Sequence, residues 1–69
     1  MEIQNRVREL RARFDLTQAM LAEQVGVTRQ TIAAIEKGDY TPSLLLALKI
    51  CGVFRLKMED VFWLREGVE

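Results

Sequence analysis

Histidine is missing from this chain of 69 residues, and cysteine, proline, tryptophan and tyrosine occur once each. The first absence removes the commonest general base and the commonest transition-metal ligand. There is also no glycine-rich phosphate loop and no cluster with metal-ligand spacing, so neither an enzyme nor a bound cofactor is expected. The adjacent acids Glu59 and Asp60 fall at the start of a fifth helix, where the helix dipole accounts for them. The lone Cys51 can form no internal disulfide and lies in an apolar helical pattern. A small buried hydrophobe in a reducing, cytoplasmic setting is the expectation. Long hydrophobic runs are lacking too: Leu44 to Phe54 is broken by Lys49 and is too short for a bilayer. Met1 to Phe14 is too rich in charge for a secretory signal. An excess of either charge is the last absence, with ten basic and ten acidic residues. Neutrality argues against strong indiscriminate binding to phosphates, although a local basic face is still compatible with it.

What the chain does have is helical patterning. About half of it is apolar, 49%, enough for one small core near the lower size limit for independent folding. We therefore expect a single domain over residues 1–69, with dimerisation as a natural supplement to a thin stability margin. The most informative stretch is Thr17 to Gly38, TQAMLAEQVGVTRQTIAAIEKG. Apolar residues recur at helical spacing through Met20, Leu21, Ala22 and Val25, and again through Val27, Ile32 and Ile35. Gly26 ends the first run and Thr28 is a good N-cap for the second. Two short helices joined by so tight a turn predict a helix-turn-helix over about residues 17–38, whose second helix is the one presented to the major groove.

Residues 1–4 read as an extended strand and Asn5 as the N-cap of a first helix over about 5–14, with Val7, Leu10 and Phe14 as its core stripe and Asp15 as its end. Thr17 caps helix two (about 18–25). Helix three runs from about Arg29 to Lys37 and stops at Gly38. Thr41 and Pro42 predict the start of helix four (about 42–54), whose core face is Leu44, Ala47, Leu48, Cys51 and Phe54. A short fifth helix covers about 57–62, and residues 63–66 read as a strand that pairs with the N-terminal one. The fold class is thus all-α, five helices with a short two-stranded antiparallel sheet from the termini.

These residues resemble the lambda-repressor and Cro family of helix-turn-helix regulators, in particular its small single-domain members. The match covers RVRELRARFDLTQAMLAEQVGVTRQTIAAIEKGDYTPSLLLALKICGVF and the ending MEDVF, nearly the whole chain. The resemblance implies homodimeric binding to a palindromic operator, usually for repression, and an ion pair between Arg11 and Glu36 that orients the recognition helix. Asp15 and Arg55 stand where the family often has glycine, and Leu45 stands where a polar residue is usual.

Stepped at ~100° per residue, helix three buries Ile32 and Ile35 and turns Gln30, Ala33, Ala34 and Lys37 outward, with Arg29 at the edge and Thr28 at the cap. The expected base contacts are Thr28, Arg29, Gln30 and Ala33: arginine suits guanine, glutamine suits adenine, and an alanine methyl suits thymine. Phosphate contacts are expected from Thr17, Gln18, Thr31, Lys37, Tyr40 and Ser43. For Gln18 the resemblance and the helix dipole coincide; Thr17 can cap, bind phosphate or do both, and Tyr40 can equally pack on helix four. Leu56, Val61, Trp63 and Leu64, with Leu45 beside them, exceed what so small a domain easily buries, and predict a twofold interface over about residues 53–66. The expected partners are double-stranded DNA and a second copy, with no membrane and no small-molecule effector. The rival reading is a protein-interaction module of the same fold, an antitoxin or accessory subunit. Such a module would carry bulky apolar residues on the outer face of helix three, where this chain has Arg29, Gln30 and Ala33.

Overall fold

The computed structural model describes residues 2–65. Along them run β1 (Glu2–Asn5), α1 (Val7–Arg13), α2 (Gln18–Val25), α3 (Arg29–Lys37), α4 (Leu44–Phe54), α5 (Met58–Val61) and β2 (Phe62–Arg65). Met1 and Glu66, assigned above to the terminal strands, lie outside the described residues. None of the described helices is long and apolar enough to cross a membrane.

Side-chain oxygens start three of the helices. Thr17 Oγ1 accepts from Met20 N at 3.0 Å, Thr28 Oγ1 from Thr31 N at 3.3 Å, and Ser43 Oγ from Leu46 N at 3.1 Å. Each satisfies one donor that the first turn leaves without a helical partner, worth about 1 kcal/mol. Helix ends are equally well defined. After α1, α3 and α4 the chain closes with paired bonds of the Schellman type: Leu16 N to Arg11 O with Asp15 N to Ala12 O, Asp39 N to Ala34 O with Gly38 N to Ile35 O, and Leu56 N to Cys51 O with Arg55 N to Gly52 O. The left-handed residue in each is Asp15 (φ 58°), Gly38 (φ 84°) and Arg55 (φ 58°). Two of the three are therefore not glycine, so each carries a conformational cost that glycine would avoid.

The core combines Val7 and Leu10 of α1, Leu21, Ala22 and Val25 of α2, Ile32 and Ile35 of α3, five residues of α4, and Val61 with Phe62. Four expectations are corrected here. Helix α4 begins at Leu44 with Ser43 as cap, not at Pro42 with Thr41, and it buries Leu46, Ala47, Ile50, Cys51 and Phe54. Leu44 and Leu48 are exposed instead. In a run as uniformly apolar as LLLALKI, two phases satisfy helical spacing equally, and packing against α2 selects the one carrying Leu46 and Ile50. Asn5 belongs to β1, and α1 starts at Val7; even so, Asn5 Oδ1 accepts from Val7 N at 3.0 Å. Phe14 lies past the end of α1, half-exposed, its ring edge-on to Phe54 at 5.3 Å. Val61, assigned to a twofold interface, is fully buried within the domain. Arg6 N bonds its carbonyl at 3.0 Å, so the chain entering α1 seals it in.

The strands pair antiparallel, with Ile3 opposite Leu64 and Asn5 opposite Phe62. Outside the sheet the Arg6 guanidinium stacks over Trp63, 5.1 Å from the ring centroid. Burial pushes the Cys51 thiol above its ordinary pKa, and its sulfur lies 3.9 Å from Met58 Sδ. The thiol is therefore protonated at neutral pH and packs as a small hydrophobe.

Candidate nucleic-acid interface

Helices α2 and α3 are held at their turn by Gly26 in the left-handed conformation, φ 79°, where an added Cβ would meet nothing within 4 Å. Glycine is needed there for the backbone angle alone. Val27 N returns to Ala22 O at 3.0 Å, and Thr28 then restarts the helix. Leu21, Ala22 and Val25 pack under Ile32 and Ile35, which leaves the opposite side of α3 free.

That side carries Thr28, Arg29 and Gln30 in exposed positions and Ala33 half-buried. The four lie at the first turn and a half of α3, so they project together from the helix end that enters a groove first. Ala33 and Ala34 keep the helix narrow, and no bulky apolar residue interrupts the surface. The hydroxyls of Thr28 and Thr31 lie 3.1 Å apart, one of them donating to the other. Both are therefore partly engaged within the cap.

Of the residues expected near phosphates, Thr17, Lys37, Tyr40 and Ser43 are exposed, and Gln18 and Thr31 are half-buried. Thr17 and Ser43 cap α2 and α4, so each presents a helix start and its free N–H groups. Lys37 Nζ is 3.9 Å from Asp39 Oδ2, both side chains largely in water; such a pair is weak and easily exchanged for a phosphate. Tyr40 lies in the loop after α3, on the wall of a groove shared with Lys37, Thr41 and β1.

Behind the surface, Arg11 and Glu36 form a close ion pair, Nε to Oε2 at 2.8 Å and Nη2 to Oε1 at 3.4 Å, with side-chain exposures of 17% and 5%. Arg11 Nη1 also donates to Leu16 O at 2.9 Å, tying the end of α1 to the entry of α2. Two further bonds were not foreseen from the sequence. Gln18 Nε2 donates to Glu36 Oε1 at 3.1 Å, and Arg29 Nη1 donates to Gln18 Oε1 at 3.2 Å. Asn5 Nδ2 likewise bonds Ile35 O at 3.0 Å and so fastens the sheet to the end of α3. Pattern could not reveal these links, because each joins residues that become neighbours only once the helices have packed.

A helix-turn-helix family model matches residues 7–61, most of the chain. The chain belongs to the XRE-type helix-turn-helix transcriptional regulators. Among helix-turn-helix relatives, it is 72% identical over 64 residues to the uncharacterized HTH-type transcriptional regulator YgzD of Bacillus subtilis (strain 168), covering 93% of this chain and 97% of that one. It is 53% identical over 60 residues to the uncharacterized HTH-type transcriptional regulator MJ0272 of Methanocaldococcus jannaschii, covering 87% of this chain and 91% of the other. In structure it is similar to the restriction-modification controller protein C.AhdI from Aeromonas hydrophila, with TM-score 0.74, 31% identity and coverage of 80% and 83%. Most of this helix-turn-helix domain is thus shared with each relative, and the candidate surface falls inside the matched segment.

Around α4, the segment after it and the sheet, large apolar side chains are exposed. Leu45, Leu56, Trp63 and Leu64 all reach solvent, and Ile3, Leu44 and Leu48 do so as well. Ile3, Leu44, Trp63 and Leu64 line a common apolar depression between the sheet and α4.

Proposed function

We propose that this regulator binds double-stranded DNA in a sequence-specific way and acts as a homodimeric repressor, reading a palindromic operator from the major groove. The observation that carries this is the set formed by the exposed Thr28, Arg29 and Gln30 with the half-buried Ala33 at the start of α3. It combines donors and acceptors that discriminate base edges with a methyl suited to thymine, on a helix slim enough to enter the groove. Thr17, Gln18, Thr31, Lys37, Tyr40 and Ser43 flank this set and supply phosphate contacts that fix the docking register. Arg11 and Glu36 touch no DNA and orient the helix that does.

Dimerisation follows from charge as well as from surface. A protein of zero net charge gains little from indiscriminate attraction to DNA, and two copies double both the base and the phosphate contacts. Leu45, Leu56, Trp63 and Leu64 are the surface for the second copy, with Val61 excluded by its burial. The protein works in the cytoplasm, and its occupancy of the operator follows its own concentration and any partner it meets.

Selection from a random pool of duplex DNA at moderate salt tests this reading. Enrichment of an inverted repeat, with half-site centres about 34 Å apart along one face of the duplex, is the expected result. Affinity for the enriched site should also fall linearly on a log–log plot against salt. A folded protein that enriches no sequence would overturn the reading and direct attention to a protein partner instead.

A further inference from the structure

Among the described residues, a single side-chain hydrogen bond joins the sheet to α3: Asn5 Nδ2 donates to Ile35 O at 3.0 Å. We propose that Asn5 is a positioning residue that fixes the sheet relative to α3, and so sets how sharply a dimer discriminates the spacing of its half-sites. This deepens the proposed function and rests on the reading of Trp63 and Leu64 as part of the surface for a second copy.

Asparagine suits this place because both ends of its short amide are claimed. Asn5 Oδ1 accepts from Val7 N at 3.0 Å, an Asx turn that starts α1. The NH2 end is then directed at the last turn of α3, where Ile35 O also accepts from Gly38 N at 3.0 Å. A carbonyl has two lone pairs, and these two bonds use both. Aspartate lacks the donor, serine lacks one of the two ends, and the extra methylene of glutamine displaces both. Asn5 stands opposite Phe62 in the sheet, and Phe62 leads directly into Trp63 and Leu64. The strand that carries the candidate interface is thus paired with the residue that grips α3. Phe62 also holds the sheet on the core, but apolar contact is indifferent to direction. Bonds at both ends of the Asn5 amide fix angle as well as position. An operator tests that rigidity, since one added base pair moves a half-site by about 3.4 Å along the duplex and about 34° around it. A stiff dimer then loses simultaneous engagement of both half-sites, whereas a loose one follows the shift.

The test uses the full chain, the inverted repeat most enriched by selection, and versions of it lengthened or shortened by one base pair between the half-sites. Asn5→Asp is the main variant, because it keeps the Asx turn and removes only the donor to Ile35 O. Asn5→Ser is made alongside in case a carboxylate beside that carbonyl disturbs the fold, which circular dichroism and thermal melting check. The wild type should lose about tenfold in affinity for a one-base-pair change of spacing, equivalent to ~1.4 kcal/mol. The variants should reduce that penalty to about threefold or less, because a loosened dimer reaches both half-sites over a wider range. Base-pair changes inside a half-site should cost the variants as much as they cost the wild type. A spacing penalty of wild-type size in both variants would overturn the role of Asn5 and leave the dimeric reading intact. So would a uniform loss of affinity for every duplex, which a merely stabilising contact predicts. A wild type that binds every spacing alike would overturn the inference as well. If the wild type binds an inverted repeat no better than a single half-site, the dimeric reading itself falls, and the inference with it.

Discussion

The face made by α2 and α3 and the face made by α4 and the sheet differ in how their exposed side chains are held. On the first, polar groups bond to one another: Arg29 to Gln18, Gln18 to Glu36, and Thr28 to Thr31. On the second, large apolar side chains stand exposed, with Leu44 at 71%, Leu45 at 64% and Leu64 at 56%. Directional bonds fix where a donor points, which suits a surface that must tell one base edge from another. Apolar contact is indifferent to direction and rewards area, which suits association with another surface of matching shape. Under the proposed function one small core supports two kinds of recognition, and changes on the two faces should fail in different ways.

The largest effect is expected where the first face is anchored. Arg11→Met keeps most of the side chain's length but leaves the Glu36 carboxylate without its charged partner and frees the Leu16 carbonyl. Breaking a fully buried pair costs about 3–5 kcal/mol, and the 17% exposure of Arg11 places this case near the lower end. Urea unfolding should show a midpoint shifted by that amount at unchanged slope. A loss under about 1 kcal/mol would reclassify the pair as a surface contact and remove the contrast between the faces.

Leu64→Glu probes the second face. The residue is more than half exposed in the single domain, so the stability of an isolated copy should change by no more than about 0.5 kcal/mol. Sedimentation equilibrium should show the wild type at twice the chain mass and Leu64→Glu at the monomer mass. Operator affinity should fall at least tenfold, equivalent to about 1.4 kcal/mol, because half the contacts leave with the second copy. Leu45→Glu should act in the same direction. If both variants keep the wild-type mass, the apolar face is not where two copies meet.

The two faces also differed in how far sequence could describe them. The helix-turn-helix was legible at nearly residue precision, since Thr17, Gly26, Thr28 and Gly38 mark ends whose chemistry is local. The small sheet was legible too, because alternation near each terminus and the need to cover the core point the same way. Helix α4 was the weak point. Its residues are apolar on nearly every side, so the pattern carries no phase, and Leu44 and Leu48 were placed inside when they are outside. The same indifference put Val61 on the surface. Arg11 and Glu36 were recognisable as a pair by resemblance, but the continuation through Gln18 to Arg29 depends on how α1, α2 and α3 meet in space, which no local signal encodes.

The smallest effects concern the helix ends that border each face. Gly38→Ala forces a Cβ into the left-handed region at φ 84°, with open space around it, and should cost about 1 kcal/mol from conformation alone. Asp15 and Arg55 already bear that cost at φ 58°. Replacing either with glycine relieves ~1–2 kcal/mol of backbone strain but adds back ~0.5–1 kcal/mol of unfolded-chain entropy. The balance is a gain of about 0.5 kcal/mol each, or roughly 2–4 °C in melting temperature for a domain of this size. Arg55→Gly borders the apolar face and should stabilise without touching DNA affinity. Asp15→Gly borders the entry to α2, beside the Leu16 carbonyl that Arg11 holds, and should raise the melting temperature to a similar extent. If Asp15→Gly instead lowers it while Arg55→Gly raises it, the aspartate side chain is contributing to the order of the α2–α3 side, and the contrast between the two faces extends to the turns that frame them.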